Sequence, residues 1–197
     1  MVRIKKIIAK IVFIGDGAVG KTSLLKRYLG REFDHDYMMT IGVDRFAKEM
    51  TIRYRKTNII IVWNIWDLAG QPHWINVRSP FYKGAIAGVL VYDVSNPDSY
   101  ENVENWLHEM IRVTGIRPIV LVANKIDLRE IIPECITTEE GLRKSRELSK
   151  ILGIEVPYIE TSAKLNINVE KIFDELGNLI IREAIRKIRE KGTSLNK

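Results

Sequence analysis

Cysteine is almost absent from this sequence, which has one, Cys135, in 197 residues. A single cysteine cannot form a disulfide within the chain, so a small disulfide-stabilised secreted fold is excluded. Long apolar runs are missing as well, and no stretch approaches the roughly 20 apolar residues that a membrane-spanning helix needs. The N-terminal apolar run is interrupted at Lys10, which favours a first strand over a signal peptide.

The body of the chain has no net positive charge, although the formal net charge of the whole chain is +6. Residues 1–10 and residues 182–197 each carry a net charge of +4, so the segment between them is slightly acidic. A nucleic-acid-binding domain more often has a basic stripe along its body. We therefore expect no nucleic-acid polymer as a ligand.

Short β-rich runs alternate with longer helical segments along the chain. These patterns predict strands at 7–14, 45–54, 58–66, 87–93, 118–123 and 156–160, and helices at 20–30, 98–113, 137–151 and 168–190. No helix separates the second strand from the third, which predicts an antiparallel hairpin. The fold class is therefore α/β, with a six-stranded, mostly parallel sheet, one antiparallel strand and helices on both faces.

A glycine-rich loop follows the first predicted strand and precedes the first predicted helix. It reads Gly15, Asp16, Gly17, Ala18, Val19, Gly20, Lys21 and Thr22, which matches the pattern G-x-x-x-x-G-K-[ST]. Such a loop wraps its backbone N–H groups around phosphates at the positive end of a helix. We expect Lys21 to bind the terminal phosphates and Thr22 to bind Mg²⁺, with Ser23 beside them. An ordinary glycine-rich turn is the alternative, and ATPases, small-molecule kinases and GTPases all use this loop.

Residues 124–127, with the sequence N-K-I-D, favour guanine as the base. The carboxylate of Asp127 can accept two hydrogen bonds from guanine N1 and N2, whereas adenine would leave this charged acceptor unpaired. The aliphatic part of the Lys125 side chain can pack on the base, and Asn124 completes the motif. The alternative is a plain turn, in which Asn and Asp are common.

Residues 161–164, with the sequence T-S-A-K, follow another predicted strand. The backbone N–H of Ala163 can donate to guanine O6, and Ser162 and Lys164 flank it. Alone, this segment would be interpreted as an ordinary strand-to-helix loop. Together with the two preceding motifs, it is interpreted as part of a guanine site.

The motifs GDGAVGKT, TIGVD, WDLAGQ, NKID and ETSAK occur here in a fixed order and spacing. The chain thereby resembles the Ras superfamily of small GTPases, most closely its Rab branch, over about residues 8–185. The resemblance implies the P-loop small G-protein fold and a Mg²⁺-dependent switch that hydrolyses GTP to GDP and phosphate, in Rab-like trafficking or signalling. One alternative is a GTP-binding interaction module with negligible hydrolysis. A P-loop kinase is a third reading, but no second substrate pocket supports it.

The resemblance also implies roles for residues near the phosphates. Thr40 would coordinate Mg²⁺ when the γ-phosphate is present, Asp67 would hold Mg²⁺ through water, and the Gly70 N–H would contact the γ-phosphate. Phe33 matches an aromatic that packs on guanine, and Tyr37 matches one that covers the phosphates. The plain alternatives are a loop residue at Thr40 and a strand-end turn at Asp67.

Gln71 matches the family's water-orienting glutamine and is, with Lys21 and Thr40, the expected catalytic set. No arginine stands three residues before Thr40, where heterotrimeric G-protein α subunits have theirs. We therefore expect slow hydrolysis that an activating partner accelerates. Pro72 follows Gln71 in place of the family's usual glutamate. It biases Gln71 toward extended backbone, which either withdraws Gln71 from the water or orients it.

The resemblance implies an exchange factor, an activating protein and effectors that contact about residues 33–46 and 67–82. Arg45 stands where Rab proteins usually have an aromatic residue, and Phe46 follows it. In a strand this shift exchanges the two faces, which puts the transfer of Rab effectors in doubt. Trp66 retains a second aromatic of that surface.

The chain ends without the prenylated cysteines that are usual in Rab proteins. We expect a cytoplasmic monomer with one domain over residues 1–191, including a basic amphipathic C-terminal helix, and a short flexible tail over 192–197. The topology should place both basic ends at the pole opposite the nucleotide. An apolar stripe in the last helix comprises Ile181, Ala184, Ile185 and Ile188. One hypothesis is weak, reversible contact with an anionic membrane; the alternative is a helix end docked on its own domain.

Overall fold

The computed structural model describes residues 4–31, 40, 42–70 and 75–194. Six strands are present: β1 (Ile4–Ile14), β2 (Val43–Tyr54), β3 (Thr57–Leu68), β4 (Ala87–Asp93), β5 (Ile119–Asn124) and β6 (Tyr158–Glu160). They form one sheet in the order β2-β3-β1-β4-β5-β6. Only the β2–β3 pair is antiparallel, and the other four pairs are parallel. The predicted sheet is confirmed.

The described residues contain six α-helices: α1 (Lys21–Tyr28), α2 (Ile75–Tyr82), α3 (Pro97–Glu101), α4 (Val103–Thr114), α5 (Thr138–Leu152) and α6 (Val169–Ser194), the last of which follows the final strand. The predicted helix 98–113 is interrupted at Asn102, which separates α3 from α4. Sequence patterns missed α2, which contains a proline, and a short 3-10 helix at Ile126–Glu130. Helix α6 continues through residues 192–194, which the sequence assigned to a tail.

Helix α5 illustrates how local sequence sets the boundaries of an element. Thr137 accepts a hydrogen bond from the backbone N–H of Glu140, and the Glu140 carboxylate accepts one from the Thr137 N–H. This capping box satisfies two backbone donors at the helix start. Gly153 ends the helix in the left-handed conformation, which glycine adopts without strain. Both ends were predicted from these residues.

Each face of the sheet carries its own apolar core. On one face, α1 and α6 cover the sheet, and the rings of Tyr28 and Phe173 stack with centroids 3.4 Å apart. On the other face, α4 and α5 contribute Leu107 and Leu148 to a second cluster that includes Val12 of β1. Successive residues of β1 point to opposite faces, so this central strand serves both cores.

Among the described helices, none has the length and apolar character required to cross a bilayer. The parallel strands β1, β3, β4, β5 and β6 all end at the same edge of the sheet. The loops that follow them therefore converge there, which is where open α/β sheets bind ligands.

Candidate nucleotide-binding site

The phosphate loop, residues 15–22, leads from β1 into α1 with a backbone that requires glycine at two positions. Gly15 has a φ of 140° and Gly20 a φ of 94°. A Cβ atom on Gly15 would lie 2.1 Å from the Val91 carbonyl oxygen, and one on Gly20 would lie 2.3 Å from the Asn124 amide nitrogen. The loop is thus packed directly on β4 and on the end of β5.

Lys21 is buried at the centre of this loop. Its ammonium donates hydrogen bonds to the carbonyl oxygens of Gly15 and Asp16, each at 2.7 Å. Burial lowers the pKa of Lys21 to about 8, although the carboxylates of Asp67 and Asp16 partly oppose that shift. A buried ammonium at the N-terminus of a helix favours the binding of an anion there.

The Asp16 side chain fastens the loop to the start of α4. Its two oxygens accept hydrogen bonds from the Asn102 amide at 2.9 Å and from the Trp106 indole N–H at 2.6 Å. Neither donor is evident from the sequence, because a tryptophan on an amphipathic helix is indistinguishable from a core residue and the asparagine belongs to no motif. The side chain of Asp16 thus positions the loop.

Three oxygen-bearing side chains meet beside the loop at the start of α1. The Thr22 hydroxyl donates to one carboxylate oxygen of Asp67 and lies 2.9 Å from the Thr40 hydroxyl. The other oxygen, Oδ1 of Asp67, is buried and has no hydrogen-bond partner among the described residues. Burial raises the pKa of Asp67 to about 6, while Lys21 and Thr22 act in the opposite direction.

The segment after β3 is in close contact with the phosphate loop. A Cβ atom on Gly70 would lie 2.4 Å from the carbonyl carbon of Asp16, so only glycine fits there. The preceding residue, Ala69, donates its N–H to the carbonyl oxygen of Gly42 at 3.0 Å. The segments that carry Thr40 and Gly70 are therefore linked to each other and to the loop.

Asn124 joins three segments at the end of β5. Its amide nitrogen donates to the Val19 carbonyl at 2.9 Å, and its oxygen accepts from the Thr161 hydroxyl at 3.1 Å and from the Ala163 N–H at 3.2 Å. In this structure the N–H that the sequence assigned to guanine O6 thus donates to Asn124. The asparagine is fully buried and acts as a positioning residue.

Asp127 and Lys125 are each held by a neighbouring side chain. The Ser162 hydroxyl donates to Asp127 at 2.5 Å, and the Lys125 ammonium lies 2.6 Å from a carboxylate oxygen of Asp93. Lys125 adopts a positive φ of 64°, which starts the 3-10 helix that contains Asp127. These contacts fix both side chains at the sheet edge where the base is expected.

An ion pair that no sequence motif predicts joins the segment of Asp127 to the segment of residues 161–164. Arg129 of the 3-10 helix lies 2.7 Å from Glu160, which also accepts hydrogen bonds from Thr138 and Tyr158 at 2.8 Å each. Glu160 directly precedes residues 161–164, so the pair fixes that segment against the segment of Asp127. Neither residue type signals such a role in a sequence.

The remaining predicted site residues divide into two groups. Ser23 lies half-buried in α1, and Ala18 and Lys164 are exposed, with the Lys164 carbonyl accepting from Arg27 at 2.8 Å. Phe33, Tyr37, Gln71 and Pro72 lie outside the described residues.

The class of protein follows from the arrangement of these parts. A P-loop nucleotide-binding protein has a strand, a glycine-rich loop with an enclosed lysine, a helix and strand-end loops that converge beside them, and all four are present here.

Similarity to known families identifies the group of P-loop proteins to which this chain belongs. The chain belongs to the Ras family, whose family model matches residues 10–182. It is 37% identical to the Ypt/Rab-type GTPase YPT7 of Saccharomyces cerevisiae over 184 residues, which are 91% of this chain and 84% of the yeast protein. It is 36% identical to the Ras-related protein Rab7 of Drosophila melanogaster, over 86% of this chain and 78% of that protein. The protein is a Rab-like small GTPase, a switch that binds GTP and hydrolyses it.

Ras-family GTPases generally use Mg²⁺ with the nucleotide, and the residues present here fit that ion. Magnesium prefers hard oxygen ligands, such as hydroxyls, carboxylates and water. The hydroxyls of Thr22 and Thr40 and the carboxylate of Asp67 lie together, and the partnerless Oδ1 of Asp67 supplies an acceptor that nothing in the described chain uses.

We predict that Asp67→Asn removes most of the effect of magnesium on nucleotide retention. An amide cannot replace the charged acceptor, and loss of such outer ligands typically weakens metal affinity by about 10–100-fold. The measurement is the release rate of fluorescent GDP across a Mg²⁺ titration. Asp44→Asn is the matched control, because exposed Asp44 lies opposite Asp67 in the β2–β3 ladder. An unchanged magnesium midpoint in Asp67→Asn would contradict the prediction.

Proposed function

We propose that the phosphate loop holds the phosphates of GTP and GDP, that Asp127 reads guanine, and that Thr40 and Gly70 sense the γ-phosphate. The observation that carries this proposal is the meeting of Thr22, Thr40 and Asp67 at the start of α1. Thr40 and Asp67 belong to separate chain segments, and this contact places both beside the hydroxyl of Thr22 in the phosphate loop.

The link between the two segments explains how one phosphate would control both. Ala69 and Gly42 share a backbone hydrogen bond, so an anion bound between Thr40 and Gly70 would order both sides of that link. Loss of the γ-phosphate would release them together, which is the order-to-disorder switch of GTP-binding proteins. Exchange factor, activating protein and effectors would read this change through about residues 33–46 and 67–82, with the protein acting as a monomer.

Hydrolysis would proceed by in-line attack of a water molecule, with the protein positioning that water and neutralising charge. Gln71 would orient the water, and the buried ammonium of Lys21 would face the charge that develops on the phosphate oxygens. Bound Mg²⁺ would add Lewis-acid stabilisation of the same oxygens. Thr22 and Thr40, and Asp67 through water, would hold the ion. The position three residues before Thr40 holds Tyr37 and not an arginine, so an arginine supplied by a partner would be worth about 10³–10⁵ in rate.

We predict that Asp127→Asn changes the preferred base of the bound nucleotide from guanine to xanthine. An asparagine amide can donate to the carbonyl that xanthine carries where guanine has its 2-amino group, and it no longer offers two acceptors to guanine. Competition of GDP, XDP and ADP against a fluorescent nucleotide measures the preference. The wild type should prefer GDP, the variant should prefer XDP, and neither should retain ADP. Preferential retention of ADP by the wild type would sink the guanine assignment.

The predicted rate of GTP hydrolysis is slow for the protein alone. In a single-turnover assay, Gln71→Leu should lower the rate by roughly tenfold or more, because the attacking water loses its orienting group. Pro72→Glu restores the usual family residue, and the sign of its effect reports whether Pro72 withdraws or orients Gln71. Several turnovers per second by the wild type alone, or an unchanged rate in Gln71→Leu, would contradict the proposed mechanism.

The two basic ends of the chain, residues 1–10 and 182–197, would together form a basic pole. This basic pole would provide peripheral contact with anionic membranes for a protein that otherwise acts in the cytoplasm. Its apolar stripe is already occupied in part, because Ile181 is buried and Ile185 packs against the core of its own domain, which leaves Ile188 exposed. Glu183 also pairs with Arg186 and Lys187 of the same helix. Any membrane contact would therefore be electrostatic, with little apolar insertion.

We predict that the protein sediments with vesicles rich in phosphatidylserine at low salt and is released at high salt. Each lysine or arginine near such a surface contributes about 1 kcal/mol, and salt screens that attraction over a Debye length of about 10 Å at 0.1 M. Neutral vesicles are the control. Binding that persists in high salt would point to apolar insertion, and no binding at low salt would remove the membrane proposal.

A further inference from the structure

Two consecutive backbone carbonyls in the loop after β6 accept no hydrogen bond from a backbone donor of the described residues. They belong to Ala163 and Lys164, between β6 and α6. Ala163 is only 3% exposed, so water cannot readily replace a missing donor there. A buried carbonyl without a partner costs free energy, and the group that supplies the donor therefore helps to decide where the loop lies.

Arg27 of α1 supplies both donors. Its Nε–H donates to the Ala163 carbonyl at 2.9 Å, and its Nη2 group donates to the Lys164 carbonyl at 2.8 Å. A guanidinium is planar and presents its N–H groups in a fixed fork, whereas a lysine ammonium is a point charge on a flexible stem. The two bonds therefore fix the orientation of residues 163–164 relative to α1.

The position of Arg27 in α1 accounts for this reach. Arg27 lies in the last turn of the helix, three positions after the buried Leu24, so the two side chains are neighbours on the helix surface. The Arg27 side chain is half-buried. The same helix begins with Lys21 and Thr22. Helix α1 thus connects the residues expected to bind phosphate and Mg²⁺ with the loop expected to bind the base.

Arg27 and Asn124 hold Ala163 from its two sides. The Ala163 N–H donates to Asn124 at 3.2 Å, and the Ala163 carbonyl accepts from Arg27. The N–H and the carbonyl of one residue belong to two planar peptide units that meet at its Cα atom. Because both units are bound, the backbone dihedral angles of Ala163 are fixed, and so is the direction of its N–H. An N–H can be shared between two acceptors, so guanine O6 can be added to Asn124.

The other described contacts of this loop act on different residues. Arg129 holds Glu160, which precedes the loop, and the Ser162 hydroxyl contacts Asp127. The N–H of Leu165 donates to the same Ser162 hydroxyl at 3.0 Å, which is a contact within the loop. Among the described hydrogen bonds, those of Arg27 are the ones that join residues 163–164 to α1.

We propose that Arg27 is a positioning residue for guanine recognition, which holds the Ala163 N–H toward O6 and thereby lengthens the residence time of the nucleotide. The inference rests on the proposed reading of guanine by this protein. Arg27 acts through two carbonyls and is not assigned a contact with the base or the phosphates. No motif marks it, because a basic residue in the last turn of a helix is also favoured by the helix dipole.

Release of two nucleotides that differ at one atom tests this role. The analogue 6-thio-GDP carries sulfur, a weaker acceptor, in place of O6, and it keeps the N1 and N2 donors that Asp127 would bind. The wild type should release GDP more slowly than 6-thio-GDP. Arg27→Gln should accelerate GDP release by roughly tenfold or more and affect 6-thio-GDP less, so that the two release rates converge.

Two further variants make the comparison specific. Arg27→Lys keeps the charge but not the fork, so its GDP release rate should lie between those of the wild type and Arg27→Gln. It also provides the same comparison of the two nucleotides if Arg27→Gln does not fold. Arg146→Gln is the matched control, because Arg146 is exposed on α5 and its loss removes the same charge. This control should release both nucleotides at the wild-type rates.

Two results would overturn the role of Arg27. Equal acceleration of GDP and 6-thio-GDP release would assign it to the stability of the domain alone, and unchanged GDP release in Arg27→Gln would show that the loop is held without it. Failure of the proposed function would appear in the wild type instead. A wild type that retains ADP in preference to GDP, or that releases GDP and 6-thio-GDP equally, would remove the base contact on which the inference rests.

Discussion

The three buried hydrogen bonds of the Asn124 side chain are the interaction on which the rest of the site depends. They connect the phosphate loop at Val19 with the loop after β6 at Thr161 and Ala163. A buried amide without these partners would cost about 1–3 kcal/mol for each group left unsatisfied. The same side chain requires glycine at position 20, because a Cβ atom there would collide with its nitrogen. The phosphate loop and the loop of residues 161–164 are therefore held together around Asn124.

A second network connects that unit to α2, the helix that follows β3 along the chain. Arg78 of α2 is buried and makes two 2.8 Å hydrogen bonds to the carboxylate of Glu109 on α4, which also accepts one from Tyr82. Arg78 donates as well to the carbonyl of Ala69. Because α4 also carries Trp106, which holds Asp16 of the phosphate loop, movement after β3 is mechanically coupled to the loop. Removal of Glu109 would leave the buried guanidinium of Arg78 without its carboxylate partner, which is destabilising.

The sequence predicted the parts of this structure that depend on local pattern. The six strands, the capping box at Thr137 and the phosphate loop each follow from periodicity or from a motif whose residues are adjacent in the chain. It did not predict α2, because Pro80 and a weak apolar pattern hide that helix. Nor did it predict the pairs Asp16–Trp106 and Arg129–Glu160, since their partners are distant in the chain and carry no motif. Long-range polar contacts are decided by tertiary packing, which one sequence does not display.

The register of β2 decides which of its side chains enter the core and which lie on the opposite face of the sheet. Phe46 packs against the core beneath α6, and the neighbouring Arg45 consequently points to the opposite face of the sheet, where it lies against the Trp66 ring. A strand has only two faces, so placing an aromatic at 46 commits position 45 to solvent or to a partner. The arginine at that position places a guanidinium 4.6 Å from the centroid of the Trp66 ring. A substitution at position 45 can therefore change the charge of this face while the packing of Phe46 in the core stays the same, because the two side chains lie on opposite sides of one strand.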